Sequence, residues 1–346
     1  MIRMARPLTL KDLNAIRELQ PQGVDLDLER ARLWPHSALA AALTQGLPFS
    51  DIGAATYVLY PNDRKKEAVG LVQARFRPGR PEADITFMAP ALDAHPDAVT
   101  IWYRLLSEAV NQLGEQGCQR IYAQVTAGNG AEEVFRTAGF TMYAREDIYY
   151  LPTERMAAVP RDAGPQLLRR QRKRDTWNLL RLYTMSTPRP VQQAEGMISA
   201  DGQVGKLGDW WDQTRGTGYV LDEDGFLVGA ARVTRGRAAN WLRLYLHPQA
   251  QTQSNELVQE VLALLRRTRP KPIYCSVRDY EGGIRGALEA AGFELSLNRS
   301  LMVKHTTARI KEPVPWRIPV LEKPAPMINT RVRATEWDTE GEVQTA

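Results

Sequence analysis

Two carboxylates, Glu82 and Asp84, stand two residues apart at the start of a segment whose alternation reads as a strand over 83–89. Side chains alternate across a strand, so both carboxylates share one face. A pair so placed can accept a proton, the work of a general base. The turn Pro78-Gly79-Arg80 just before them suits a plainer role as solvated strand-end charges. The most basic run, Arg169-Arg170-Gln171-Arg172-Lys173-Arg174, could grip the phosphates of a nucleic acid. Beside a helix start, such a run is ordinarily a solvated face, and that is the expectation adopted. The four histidines are scattered, and Cys118 and Cys275 stand far apart, so no metal-ligand spacing arises and no metal site is expected. Trp210-Trp211 could line a pocket, but a buried helix accounts for the pair more simply.

The elements that must position these residues are written twice. Ile121 to Phe140, IYAQVTAGNGAEEVFRTAGF, is echoed by Ile273 to Phe293, IYCSVRDYEGGIRGALEAAGF. In both, a period-2 strand runs through a polar loop into a helix ending Ala-Gly-Phe. The strands begin 152 residues apart and the glycines, Gly139 and Gly292, lie 153 apart. That period matches one domain and is far too long for a solenoid repeat. Upstream, Tyr57-Val58-Leu59 and Val69-Gly70-Leu71 are answered by Tyr219-Val220-Leu221 and Val228-Gly229-Ala230. Cys275 takes the place of Ala123, which marks it as a small core residue rather than a nucleophile.

In the first half the pattern predicts a strand at Ile2–Ala5, a helix capped by Asp12, and a helical region over 29–46. Strands near 54–60, 67–76 and 83–89 follow, joined by Pro61-Asn62-Asp63 and by the turn at 78–80. Pro96 opens a long helix. A strand at 119–125, a helix at 130–137 and a strand pair at 140–144 and 147–151 complete the unit. The second half predicts a strand at Leu167–Arg170, a helix capped by Asp175, and strands near 218–221, 226–234 and 239–246. A helix at 254–267, a strand at 272–277, a helix at 283–290 and strands at 293–297 and 300–304 end it. The organisation expected is therefore a domain at 1–151, a Pro-containing linker without apolar periodicity at 152–165, a second domain at 166–305 and a Pro-rich tail at 306–346. Trp316 and Ile318 could pin part of that tail to a domain.

Composition sets limits. The 346 residues, 43% hydrophobic and 25% charged, are ordinary for a globular chain, and the length supports two cores. No run approaches the ~18 apolar residues of a membrane span. No apolar signal region precedes the first strand, and two cysteines make no disulfide framework, so a reducing cytoplasm is the expected setting. A net charge of +5 permits an anionic partner without requiring one.

With the order strand–helix–helix–three strands–helix–strand–helix–two strands, each half resembles the GNAT N-acetyltransferase superfamily. The resemblance rests on IRMARPLTLKDLNAIREL, ITFMAP (Ile85–Pro90) and AEEVFRTAGF in the first half. In the second half it rests on LRLYLHP (Leu242–Pro248) and LEAAGF (Leu288–Phe293). It implies an α/β (α+β) chain of two tandem GNAT-like domains, each a mostly antiparallel mixed sheet flanked by helices. It further implies an acetyl-CoA or other acyl-CoA cosubstrate, no metal, and a small-molecule or peptide amine as acceptor. The coenzyme diphosphate would lie on the loop after the fourth strand, where the next helix offers free amides. Asp93–Ala98 is a poor version of that loop, with two carboxylates and an amide-less Pro96. Gln251, Thr252, Gln253, Ser254 and Asn255 form the better one, preceded on the strand by Leu244 and Leu246. The tyrosine that often protonates the leaving thiolate is replaced by Phe135 and Leu288. The resemblance makes Glu82 and Asp84 the candidate base, in the other half from the better loop. The function implied is acyl-CoA-dependent acetyl transfer to an amine, weakened or decayed. The alternatives are a non-catalytic tandem scaffold and a tRNA- or nucleic-acid-linked role through 169–174.

Overall fold

The computed structural model describes residues 2–4, 10–35, 37–44, 54–60, 67–158, 167–197, 216–223 and 226–306. Pro61-Asn62-Asp63, Trp210-Trp211 and the tail with Trp316 and Ile318 lie outside the described residues. The first half forms β1 (Ile2–Met4), α1 (Leu10–Leu19), β2 (Val24–Asp25), α2 (Leu28–Leu33), α3 (Ala38–Leu43) and β3 (Ala55–Leu59). It continues through β4 (Gly70–Phe76), β5 (Glu82–Ala89), α4 (Ala98–Glu115), β6 (Arg120–Thr126), α5 (Ala131–Thr137) and β7 (Thr141–Leu151). After α6 (Thr153–Ala158) come β8 (Leu168–Arg170), α7 (Thr176–Ser186), α8 (Arg189–Ala194), β9 (Thr217–Glu223) and β10 (Phe226–Arg235). The remainder is β11 (Asn240–Leu246), α9 (Ser254–Arg266), β12 (Ile273–Arg278), α10 (Gly282–Ala290) and β13 (Glu294–His305).

The repeated Ala-Gly-Phe is a helix stop. Gly139 and Gly292 have φ of +85° and +88°, the left-handed conformation that ends helices and favours glycine. The next amide, of Phe140 or Phe293, then reaches back to the carbonyl of Phe135 or Leu288, at 3.0 Å in both copies. The phenylalanine that follows the glycine turns into the core under the helix it terminates.

All strands join one sheet in the order β1-β3-β4-β5-β6-β13-β7-β12-β11-β10-β9-β8, with β2 added against β5. Among the described strands only β5–β6 and β11–β12 are parallel. Read inward from either edge, the two halves follow the same order, so the repeat survives as an internal pseudo-two-fold. At the middle the halves exchange their last strands: β13 pairs with β6, β7 pairs with β12, and β7 and β13 pair with each other. The two sheets expected are thus fused into one. Helices α4 and α5 cover one face of the first half and α1 and α3 the other. In the second half α9 and α10 cover one face and α7 the other.

Four local expectations are corrected. The strand pairs at 140–144/147–151 and 293–297/300–304 are single long strands; no Gly or Pro interrupts 145–146 or 298–299, so nothing forces a turn. The region 29–46 is two helices, because Pro35 excludes helical backbone at Trp34. Asp12 lies inside the first turn of α1. Asp175 does stand at the N-cap of α7 but turns its carboxylate back to the Arg172 amide at 2.7 Å rather than to an amide of α7. Asp12 accepts from the Tyr60 hydroxyl at 2.8 Å, and Asp175 is held by Arg169. The segment after Pro152, expected to lack periodicity, contains α6, whose Met156 is buried against the second core.

Candidate functional site

Strands β11 and β12 pair over Asn240↔Ile273 to Arg243↔Ser276 only; beyond that β11 runs on beside β10 alone, leaving a notch. Leu244 and Leu246 continue β11 there, and both side chains are buried in the core beneath α9. The next residues, Pro248–Gln253, form a 3₁₀ turn rather than an open loop. The amide of Ser254 already donates to the Gln251 carbonyl, and that of Gln249 to Nδ1 of His247 at 3.2 Å. Ser254 is buried as the first residue of α9, whereas Gln251, Thr252 and Asn255 are exposed. The Gln251 carboxamide lies over the start of α10, where a Cβ on Gly283 would sit only 1.4 Å from its Oε1. Glycine at 283 is therefore what lets Gln251 bridge the mouth of the notch.

Thr252 and Gln253 face a cavity of about 510 Å³, within the range of ligand pockets. Its apolar wall comes from Leu182, Leu227 and Val228, and its polar rim includes Asn178, Arg181, His247 and Gln249. Among the described residues no carboxylate lines it and Arg181 makes no ion pair. The five expected loop residues therefore come together, but with fewer free amides than an open phosphate loop would offer.

The first half is closed at the corresponding place. Strands β5 and β6 part after Asp84↔Tyr122. The buried indole of Trp102 donates to the Pro90 carbonyl at 2.6 Å and meets Phe135 edge-on at 6.1 Å, filling the gap between β5 and α5. If Ala98 and Ser254, the first residues of α4 and α9, are equivalent, Trp102 corresponds to the much smaller Val258. Phe135 and Leu288, the two positions where a phenol would be sought, are both fully buried.

Glu82 and Asp84 do share a face, but both are held in ion pairs rather than left as free strand-end charges. Glu82 is 3% exposed and lies near three guanidiniums, Arg77 at 3.1 Å, Arg80 at 3.3 Å and Arg120 at 3.4 Å. Arg77 also binds both oxygens of Asp84, at 2.9 and 2.7 Å, and stacks over Tyr122. Five strand spacings, about 24 Å, separate β5 from β11, so the pair stands apart from Gln251–Asn255. Within the basic run, Arg169 is engaged by Asp175 and Asp222 at 2.8 and 2.7 Å.

What sequence reasoning missed lies between the halves. Glu146 on β7 faces Arg299 on β13 across the pseudo-axis, at 2.5 Å. It also contacts Arg243 at 3.0 Å and Arg278 at 3.2 Å. Burial opposes its ionisation, but Arg299, Arg278 and Arg243 outweigh burial and hold its carboxyl at about 2. Arg243 continues to Glu281, and Arg278 to Glu195, which accepts from the Tyr183 hydroxyl. Burial raises Glu281 despite its arginine neighbours. Glu146 and Arg299 are 153 residues apart, the same spacing as the glycines, which was the signal available in the sequence.

Among the described residues no cluster of His, Cys, Asp and Glu could hold a metal, and no helix is long and apolar enough to cross a membrane. No family model and no curated protein sequence matches the chain. Solved structures do. A GCN5-related N-acetyltransferase from Sphaerobacter thermophilus superposes with a TM-score of 0.52 at 13% identity, over 88% of this chain and 95% of that one. A tandem GNAT protein from the clavulanic acid biosynthesis pathway aligns at 14% identity over 85% and 94%, with a TM-score of 0.49. At such identity the likeness to the first structure establishes the fold, a GNAT fold spanning both halves.

Proposed function

We propose that the protein binds acetyl-CoA or a related acyl-CoA in its second half, residues 166–305, and passes the acyl group to an amine of a small molecule or peptide. The first half, 1–151, serves as the scaffold. The observation that carries this reading is the cavity beside Thr252 and Gln253, at the start of a 13-residue helix, where among the described residues Arg181 has no ion pair and no carboxylate lines the wall. A diphosphate is favoured there by Arg181, by the Thr252 hydroxyl and by the helix dipole. Gln251 and Asn255 would close over it, and the backbone of Leu244 and Leu246 would guide the pantetheine into the notch. The amine would attack the thioester carbonyl directly, held in place by the protein. A cytoplasmic setting suits such a cosubstrate.

Calorimetric titration with acetyl-CoA tests the reading. Thr252→Asp alters an exposed residue and sets a like charge against the diphosphate. At ~4 Å and an effective dielectric of 20 the repulsion is about 4 kcal/mol, so affinity should fall at least ~100-fold. Asp97→Gly in the first half should leave affinity as it was. Unchanged binding by Thr252→Asp would place the cosubstrate elsewhere. A second reading, a binding protein without catalysis, is favoured by the arginine clamp on Glu82 and Asp84. Binding without any thiol release would single it out.

A further inference from the structure

Helix α2 belongs to the first half but packs on the second. Leu33 at its end meets Trp241, Ala239 and Ile148, and its carbonyl accepts from the amides of Arg237 at 2.8 Å and Ala238 at 3.2 Å. A Cβ on Gly236 would lie 2.6 Å from Leu33, so glycine at that turn permits the contact. Glu29 is four residues before Leu33, on the same side of the helix. The half-buried Glu29 carboxyl lies close enough to the Thr234 hydroxyl of β10 for it to favour the charged form. Thr234 is directly opposite Trp241 of β11. Two residues further on the same face, about 7 Å along the strand, is Arg243, the last residue of β11 paired with β12. A carboxylate of the first half thus stands over β11, about 7 Å along the strand from the root of the second half's notch. Strand β11, Asn-Trp-Leu-Arg-Leu-Tyr-Leu, supplies no carboxylate of its own.

We propose that Glu29 is the general base for acyl transfer in the second half, so that one working site is assembled from both halves. The inference rests on the acyl-CoA reading above. In the step, the amine nitrogen attacks the thioester carbonyl carbon and a C–N bond forms. The C–S bond breaks, and its electron pair leaves on the coenzyme sulfur. The proton lost by the nitrogen goes to the Glu29 carboxylate, which returns it to the thiolate or to water. Amine plus acyl thioester gives amide plus thiol, with no other reactant.

The surroundings suit that role. On its own helix and the turn before it are Arg30, Arg32 and Asp27, whose charge is taken by Arg75 at 2.6 Å. Arg232 faces Glu29 from β10, and Arg299 from β13. Burial and the nearby Asp27 push the Glu29 carboxyl up to about 7, against the pull of Arg232, Thr234 and Arg299. A base is most effective when it titrates near the working pH. Glu82 and Asp84, by contrast, would first have to leave Arg77.

The test compares Glu29→Gln with the natural protein, labelled with ¹³C at glutamate carboxyls. Glutamine keeps the shape and can still meet Thr234. In the natural protein, one carboxyl resonance absent from the variant should titrate near pH 7, and saturating acetyl-CoA should move its midpoint. Acetyl-CoA affinity should be the same in both proteins. Thiol release from acetyl-CoA, with water or hydroxylamine as nucleophile, should fall ~10²–10⁴-fold in the variant and lose its pH dependence near 7. A midpoint that bound acetyl-CoA does not move overturns the proposal, as does release that Glu29→Gln leaves intact. Failure of the natural protein to bind acetyl-CoA would remove the acyl-CoA reading itself, and this inference with it.

Discussion

Replacing Glu146 by Gln removes one negative charge from the centre of the molecule and leaves three guanidiniums facing one another. The side chain is 5% exposed, so solvent offers little screening. A carboxyl moved from its ordinary 4.5 to about 2 is favoured in the folded state by roughly 3 kcal/mol, at 1.36 kcal/mol per pH unit. Breaking a buried ion pair by neutralising one partner costs about 3–5 kcal/mol, which agrees. The expected loss is therefore about 3 kcal/mol at pH 7, or roughly 6 °C in Tm at the lower end of the usual size scaling. The pH dependence carries a second signature. Because the folded-state value is depressed, the contribution is complete above about pH 4.5 and disappears as pH falls towards 2. The natural protein should lose that stability across this window, and Glu146→Gln should lack this component of the acid loss. Urea denaturation between pH 7 and pH 3 measures both. Glu133→Gln is the control, since its pair with Arg136 is 70% and 56% exposed and should contribute less than ~1 kcal/mol. If Glu146→Gln matched that control, the central ion cluster would not be holding the halves together.

Two further outcomes follow from local structure. Gly292→Ala should destabilise by about 1 kcal/mol in urea denaturation through left-handed strain alone, because no atom lies within 3.4 Å of the new Cβ; an unchanged midpoint would contradict the helix-stop account. Burial pushes the Cys118 thiol up to about 11 and the Cys275 thiol higher still, so neither should react with a disulfide reagent at pH 8 until the protein is denatured, when both should; rapid labelling of the native protein would contradict the described burial.

The sequence by itself determined the repeat, much of the element order and the helix stops. These are local: the left-handed glycine after α5 and α10 and the apolar stripe of α4 are fixed by neighbours within a few residues. It also determined that Glu82 and Asp84 share a face, since alternation along a strand requires it. It could not show which strand lies alongside. The alternation in Thr141–Leu151 is the same whether β7 closes its own half or pairs with β12 and β13, so the exchange of last strands was decided by tertiary packing. The same blindness hid the ion partners. Arg77 reaches Asp84 across a turn, and Arg299 meets Glu146 from 153 residues away. Nothing in its own segment marks Glu29 out. Its position against Thr234, beside Trp241 of β11, exists only because α2 crosses to the other half. A side chain's face is written in the spacing of its own segment, whereas its partner depends on segments far along the chain.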